Sequence, residues 1–324
     1  MILRVSYGLL LSFLAGDNAP TMKRVLTAVV LIPIVLLIVF RAPMWLFAAF
    51  LAVVALIASS EYLSIVGKFS TSMSKWPPLV ATAAIFGYTA YREATLSKNP
   101  ELTLLTLLAI IAIATLVPFI FLSLRMNEPQ FREEVISSAL AYFAIPYVGL
   151  ALWSLIVVRH LQVFLVLFVL VVVWVGDTCA YYIGRSMGRH LMAPRVSPKK
   201  TWEGAIASIL GGVLGGVLAI HYAPEIAQGL LRAGLLAEAE LGTMGSGLPG
   251  TTTAAVIAFF VNVAAQVGDL VESMIKRGAD VKDSGTLLPG HGGILDRIDA
   301  LLFAAPVAAL LFVATYQYWG GPVM

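Results

Sequence analysis

The chain has 324 residues, 60% of them hydrophobic and only 12% charged, with a net charge of +3. A soluble domain carries about a quarter charged residues, so this composition excludes one, and apolar runs recurring along the whole length mark a polytopic helical membrane protein. The single cysteine, Cys179, excludes an intrachain disulfide and argues against a cysteine metal cage, and the dispersed basic residues give no nucleic-acid-binding segment.

The first 21 residues hold an apolar core, Val5–Ala15, too short to span, and "TMKRVLTAVVLIPIVLL" reads like a natural start at Met22. Residues 1–21 read as an upstream start assigned in error, an interfacial helix or a signal-like segment, and the favoured expectation is a dispensable extension. Nine spans follow, over roughly 24–40, 43–66, 77–91, 102–124, 136–158, 161–184, 202–222, 252–272 and 299–319. Hydrocarbon offers the backbone no partners, so the spans must be helices and the fold an all-α bundle. Pro33, Pro118 and Pro146 are expected to kink it. Residues 22–170 form an N-terminal group of transmembrane helices, and 171–324 a C-terminal region with the candidate active-site loops.

With the N-terminus in the cytoplasm, sixteen of the 21 Lys and Arg residues fall on the cytoplasmic side. That bias sets the orientation and supports an odd number of spans. Residues 223–251, rich in Ala, Gly and Leu, read as an outer loop with a surface helix. No inverted or parallel repeat is evident, which disfavours the usual transporter plan.

The chemistry lies on the cytoplasmic side. Along span eight, Asn262, Gln266, Asp269, Ser273 and Lys276 fall within roughly an 80° arc and should face the bundle interior. Interhelical hydrogen bonding accounts for Asn262 and Gln266; Asp269, a membrane-embedded carboxylate, is a functional candidate. Asp296 and Asp299 form an i,i+3 pair at the start of span nine, with Cβ atoms about 5–6 Å apart. They suit a hard cation such as Mg²⁺, or the compensation of a helix dipole. The glycines of "PGHGGILD" lead into a helix N-terminus, where backbone N–H groups can approach an anion. His291 either joins them or is an ordinary loop hydrogen bonder. Upstream, "KRGADVKD" supplies Lys276, Arg277, Lys282 and Asp283.

A second group is "GDTCAYYIGRSMGRHLMAPRVSPKKTWEGA". Asp177 sits near the inner end of span six, and Ser197–Pro198 reads as a helix start followed by Lys199 and Lys200. This is either a capped helix with a basic collar or a second phosphate-binding patch. Gly204, Ser208, Gly212 and Gly216 form a ridge of close helix packing, within the chain or in a homodimer.

"SMIKRGADVKDSGTLLPGHGGILDRID", Ser273–Asp299, resembles the signature of the phosphatidate cytidylyltransferases, or CDP-diacylglycerol synthases, at every fixed position. "GDTCAYYIGR" and "SPKKTWEG" also resemble segments of that family, with Cys179 where glycine or alanine is expected. The resemblance implies a Mg²⁺-dependent nucleotidyltransferase of phospholipid biosynthesis, in the inner (cytoplasmic) membrane with its site facing the cytoplasm. It converts CTP and phosphatidate to CDP-diacylglycerol and pyrophosphate. The implied metal ligands are Asp269, Asp296 and Asp299, with a second metal or a monovalent cation left open. Lys276, Arg277, Lys282 and Arg297 would supply positive charge, with Asp283 in support. Substrate would be bound by His291, Gly292, Gly293, Ser197, Lys199, Lys200 and Asp177. The competing reading is a cation-coupled transporter, which would also place carboxylates in spans eight and nine. CDP-alcohol phosphotransferases use closely spaced aspartates too, but their Asp-Gly/Ala-Arg pattern is absent.

Overall fold

The computed structural model describes residues 31–69, 74–94, 131–235, 248–287 and 292–316. The helices are α1 (Leu31–Arg41), α2 (Met44–Val66), α3 (Trp76–Ala94), α4 (Phe131–Tyr142), α5 (Ala151–Leu161) and α6 (Val163–Met187). After a short hairpin, β1 (Leu191–Ala193) and β2 (Ser197–Thr201), come α7 (Trp202–His221), α8 (Ala223–Arg232), α9 (Thr251–Gly278) and α10 (Leu295–Tyr316). Among the described residues, six helical stretches are long and apolar enough to cross a membrane: α2, Arg132–Leu161, α6, α7, α9 and α10. The helices α1 and α3 lie where spans one and three were expected. Span four, Pro118 and the extension 1–21 lie outside the described residues.

Local chemistry explains the irregularities. Between α4 and α5 the helix widens into a π-turn, Ile145–Leu150, with Pro146 in its first turn. Proline has no N–H to give the preceding turn, and a wider turn absorbs the loss without ending the span. The expected helix start at Ser197–Pro198 is corrected: both residues lie in β2. The residue before a proline is pushed toward extended backbone, and Ala193–Pro194–Arg195–Val196 closes a turn in which the Val196 N–H donates to the Ala193 carbonyl at 3.1 Å. The cap moves to Thr201, whose hydroxyl accepts the Gly204 N–H at 3.2 Å and opens α7. The loop after α7 does carry a helix, α8, as expected of a surface helix.

The core runs through α2, α5, α6, α9 and α10 and is built from small and branched apolar side chains. The ridge of α7 is consumed inside the chain. A Cβ at Gly212 would crowd Asn262 and the Val172 carbonyl, and one at Gly216 would crowd Val172, Phe168 and Ala258. The ridge therefore serves packing of α7 on α6 and α9. Asn262 and Gln266 are the interhelical glue expected: Asn262 donates to the Val172 carbonyl, and Gln266 to Asn262 and the Ala205 carbonyl.

The helix-on-helix approach that matters for the site is between α9 and α10. A Cβ at Gly268 would lie 2.6 Å from the Asp299 carbonyl oxygen and 3.2 Å from Phe303. Gly268→Ala should therefore cost about 1–3 kcal/mol through overpacking. Gly229→Ala in α8, with nothing within 4 Å, should be neutral or slightly stabilising. Thermal unfolding in detergent compares them, and equal midpoints would contradict this packing.

Candidate active site

One end of the bundle collects the polar residues that the apolar spans otherwise lack. It is formed by the C-terminal ends of α2, α6 and α9, the N-terminal ends of α7 and α10, the hairpin and the loop residues 279–287 and 292–294. Direct contacts tie these parts together. Lys200 on β2 reaches Asp269 on α9 at 2.6 Å. The Arg277 Nε–H at the end of α9 donates to the Val196 carbonyl of the hairpin at 3.4 Å. At the opposite end, the buried Arg159 donates to the Ala42 carbonyl and stacks over Phe47, while His160 meets Glu93 at 3.3 Å.

Two linked clusters make up the site. In the first, Asp177 on α6 lies within electrostatic reach of Asp269 and Lys200, and Asp299 within reach of Asp269, Asp177 and Glu272. Asp299 Oδ1 accepts the Ala300 N–H at 2.8 Å. In the second, the Lys276 ammonium bridges Glu272 at 2.5 Å and Asp296 at 2.6 Å, with Glu272 only 1% and Asp296 6% exposed. Neither Glu272 oxygen has a hydrogen bond of good geometry, so this ion contact is what offsets its charge. Asp296 Oδ2 also accepts the N–H groups of Ser284 at 2.9 Å and Gly293 at 2.8 Å.

The expected residues thus separate. Asp177, Lys200, Asp269, Lys276, Asp296 and Asp299 converge. Gly292 and Gly293 lie against them; Gly292 adopts φ +79°, and a Cβ there would overlap Asp296 Oδ2. Lys199, Lys282, Asp283 and Arg297 are exposed and Ser197 half-buried at the rim. Arg277 braces the hairpin and its own helix end, donating also to the Val281 carbonyl at 3.4 Å. His291 lies outside the described residues. The backbone donors expected to cradle a phosphate are engaged here by protein carboxylates. Gly293 donates to Asp296, and Ile294 and Leu295 donate to Glu61 at 3.1 and 2.8 Å.

Two residues of the cluster went unnoticed in the sequence. Glu272 is three residues after Asp269 and four before Lys276, on the same face as the stripe already identified. Glu61 is the only charged residue of α2, and the criterion that singled out Asp269 applies to it equally.

Among the described residues, no three acidic, histidine or cysteine side chains converge as they stand on one metal-holding point. The donor set nonetheless fits a hard cation. Five carboxylates, Asp177, Asp269, Glu272, Asp296 and Asp299, lie within electrostatic reach of one another, and among the described residues only two ammonium groups, Lys200 and Lys276, pair with them. Excess negative charge in a partly desolvated site favours a divalent ion with oxygen ligands.

A model described as the cytidylyltransferase family matches residues 22–315. The chain belongs to this family. Among similar proteins, phosphatidate cytidylyltransferase of Haemophilus influenzae is 35% identical over 211 residues, covering 65% of this chain and 57% of that one. The enzyme of the same name from Brucella suis is 41% identical over 170 residues, 52% of this chain and 53% of that protein. That of Pseudomonas aeruginosa is 41% identical over 159 residues, 49% and 50%. The chain spans only between half and three-fifths of the length of these cytidylyltransferases in the matched regions.

Proposed function

We propose that this family member is a phosphatidate cytidylyltransferase, transferring CMP from CTP to phosphatidate and releasing pyrophosphate. The observation that carries the reading is the convergence of Asp177, Lys200, Asp269, Lys276, Asp296 and Asp299 at one end of a bundle of membrane-length helices. The names of the relatives support the choice of substrates. The chain is proposed to cross the cytoplasmic membrane nine times, with its N-terminus and this end in the cytoplasm, an orientation that the distribution of Lys and Arg supports.

The chemistry suits such a site. A phosphatidate oxygen forms a bond to the α-phosphorus of CTP, the bond to the bridging oxygen of the β-phosphate breaks, and pyrophosphate leaves with the electron pair. The phosphomonoester has a second pKa of about 6, so the attacking oxygen is anionic near neutrality and no strong base is needed. Positioning two anions in line, and offsetting their charge, is the main task. Lys200 and Lys276 stand beside the carboxylates as internal counter-charges, and Lys199, Lys282 and Arg297 at the rim can meet the triphosphate as it enters. Asp269 and Asp299 are proposed to hold Mg²⁺. Asp296, whose carboxylate keeps acceptor capacity beyond the Lys276 contact, would join them. Bound there, the ion would neutralise charge on the departing pyrophosphate.

Purified protein given CTP, phosphatidate and Mg²⁺ should form CDP-lipid and pyrophosphate in equal amounts. A folded protein that forms neither would remove this reading. Within it, the two lysines of β2 should differ. Lys200→Ala, losing the Asp269 contact, should lower kcat/KM by about 10²-fold or more, and Lys199→Ala by less than about tenfold. Equal, small effects in steady-state assays would reduce the hairpin to a basic collar.

A further inference from the structure

Glu61 lies far in sequence from the other acidic groups, and its contacts are specific. Its Oε1 accepts the Ile294 N–H at 3.1 Å, and its Oε2 accepts the Leu295 N–H at 2.8 Å and the Ser284 hydroxyl at 3.1 Å. A helix N-terminus leaves its first N–H groups without intrahelical partners and carries partial positive charge. At α10 those groups are met by a carboxylate brought from α2.

We infer that Glu61 is a positioning residue. Its carboxylate occupies the anion position at the start of α10 and fixes the loop that holds Asp296 in place. Three observations support this. The first is continuity: the Ser284 hydroxyl donates to Glu61 and accepts the Asp296 N–H at 3.3 Å, while the Ser284 N–H donates to Asp296 Oδ2 at 2.9 Å. A chain of hydrogen bonds therefore runs from α2 to the carboxylate that Lys276 grips.

The second is shape. A Cβ at Gly285 would lie 2.7 Å from Glu61 Oε1, and one at Gly293 would overlap Glu61 Oε2 and Ser284 Oγ. The loop is glycine where Glu61 fits, so these glycines permit the approach of a protein carboxylate. The third is electrostatic. The positive end of α10 is already matched by an internal anion, so attraction of substrate phosphates falls to side-chain cations such as Lys200 and Lys276. Glu61 touches no reacting atom in this scheme; it acts through Ser284 and Asp296.

The effect on turnover rests on the proposed function, but the effect on local order does not, and one experiment separates them. Amide hydrogen exchange is measured on the full chain in detergent for wild type, Glu61→Gln, Glu61→Asp and Gly293→Ala, beside steady-state kinetics with CTP and phosphatidate. Glutamine presents one acceptor and one NH₂ group to three donors. In Glu61→Gln, exchange across Gly292–Asp296 should rise about tenfold or more while α6 is unchanged, and kcat should fall about tenfold with KM for CTP nearly constant. Glu61→Asp keeps both acceptors on a shorter arm and should recover part of each. Gly293→Ala attacks the same contact from the loop and should give the same local rise even if the α2 variants fail to fold. Unchanged exchange at 292–296 in the folded Glu61→Gln protein, or in Gly293→Ala, overturns the assignment. Absence of CDP-lipid formation by wild type would instead count against the proposed function, leaving the exchange result to decide the role of Glu61.

Discussion

Asp299→Asn is expected to lose turnover by about 10²–10³-fold, the scale of removing one preorganised electrostatic group from an active site, while the folded protein becomes no less stable. Both halves follow from the surroundings of Asp299. Its carboxylate faces Asp269, Asp177 and Glu272, like charges that repel in a partly desolvated site. Asparagine keeps an oxygen to accept the Ala300 N–H, now made at 2.8 Å, and removes only the charge. The repulsion that a bound cation would relieve is then relieved by the substitution itself. The midpoint of thermal unfolding in detergent without divalent ions should stay level or rise, while CDP-lipid formation at saturating CTP collapses. A variant with wild-type turnover would remove Asp299 from the site, and one that unfolds would make its role structural.

Lys276→Ala should act in the opposite sense on stability. The ammonium bridges Glu272 and Asp296, both almost fully buried, and removing one partner of such a group leaves uncompensated buried charge at a cost of about 3–5 kcal/mol. The unfolding midpoint should therefore fall well below that of wild type, and turnover should be lost. Adding Glu272→Gln removes one of the two stranded charges and should restore part of the stability without restoring activity. That split separates the two duties of the lysine: it balances buried carboxylates, and in the proposed function it meets the substrate phosphates. A Lys276→Ala protein as stable as wild type would mean that Glu272 and Asp296 do not depend on this ion contact.

Much of this arrangement is legible in the sequence because lipid makes polarity conspicuous. The apolar runs locate the helices, and the stripe through Asn262, Gln266, Asp269 and Lys276 faces inward as its spacing requires. The hairpin was not legible. Ser197–Pro198 resembles a helix start, and only the pairing of β1 with β2 shows that Pro194 turns the chain instead. Nor was the division of labour among the glycines. A glycine-rich run before a helix offers N–H donors to any anion, and nothing local says that Glu61, more than two hundred residues earlier, supplies it. Glu272 was within reach of the sequence, being on the same helical face as Asp269 and Lys276. Long-range pairing is what a one-dimensional pattern omits, and that is where the ends of α2 and α10 meet.

Two labels followed through one reaction test the proposed transfer. Purified protein in detergent with phosphatidate and Mg²⁺ is given CTP labelled either at the α- or at the γ-phosphate. The α-label should move into a lipid-soluble product and the γ-label into pyrophosphate, at equal rates and only when phosphatidate is present. Release of γ-label as inorganic phosphate, or no transfer of α-label to lipid by demonstrably folded protein, would contradict it.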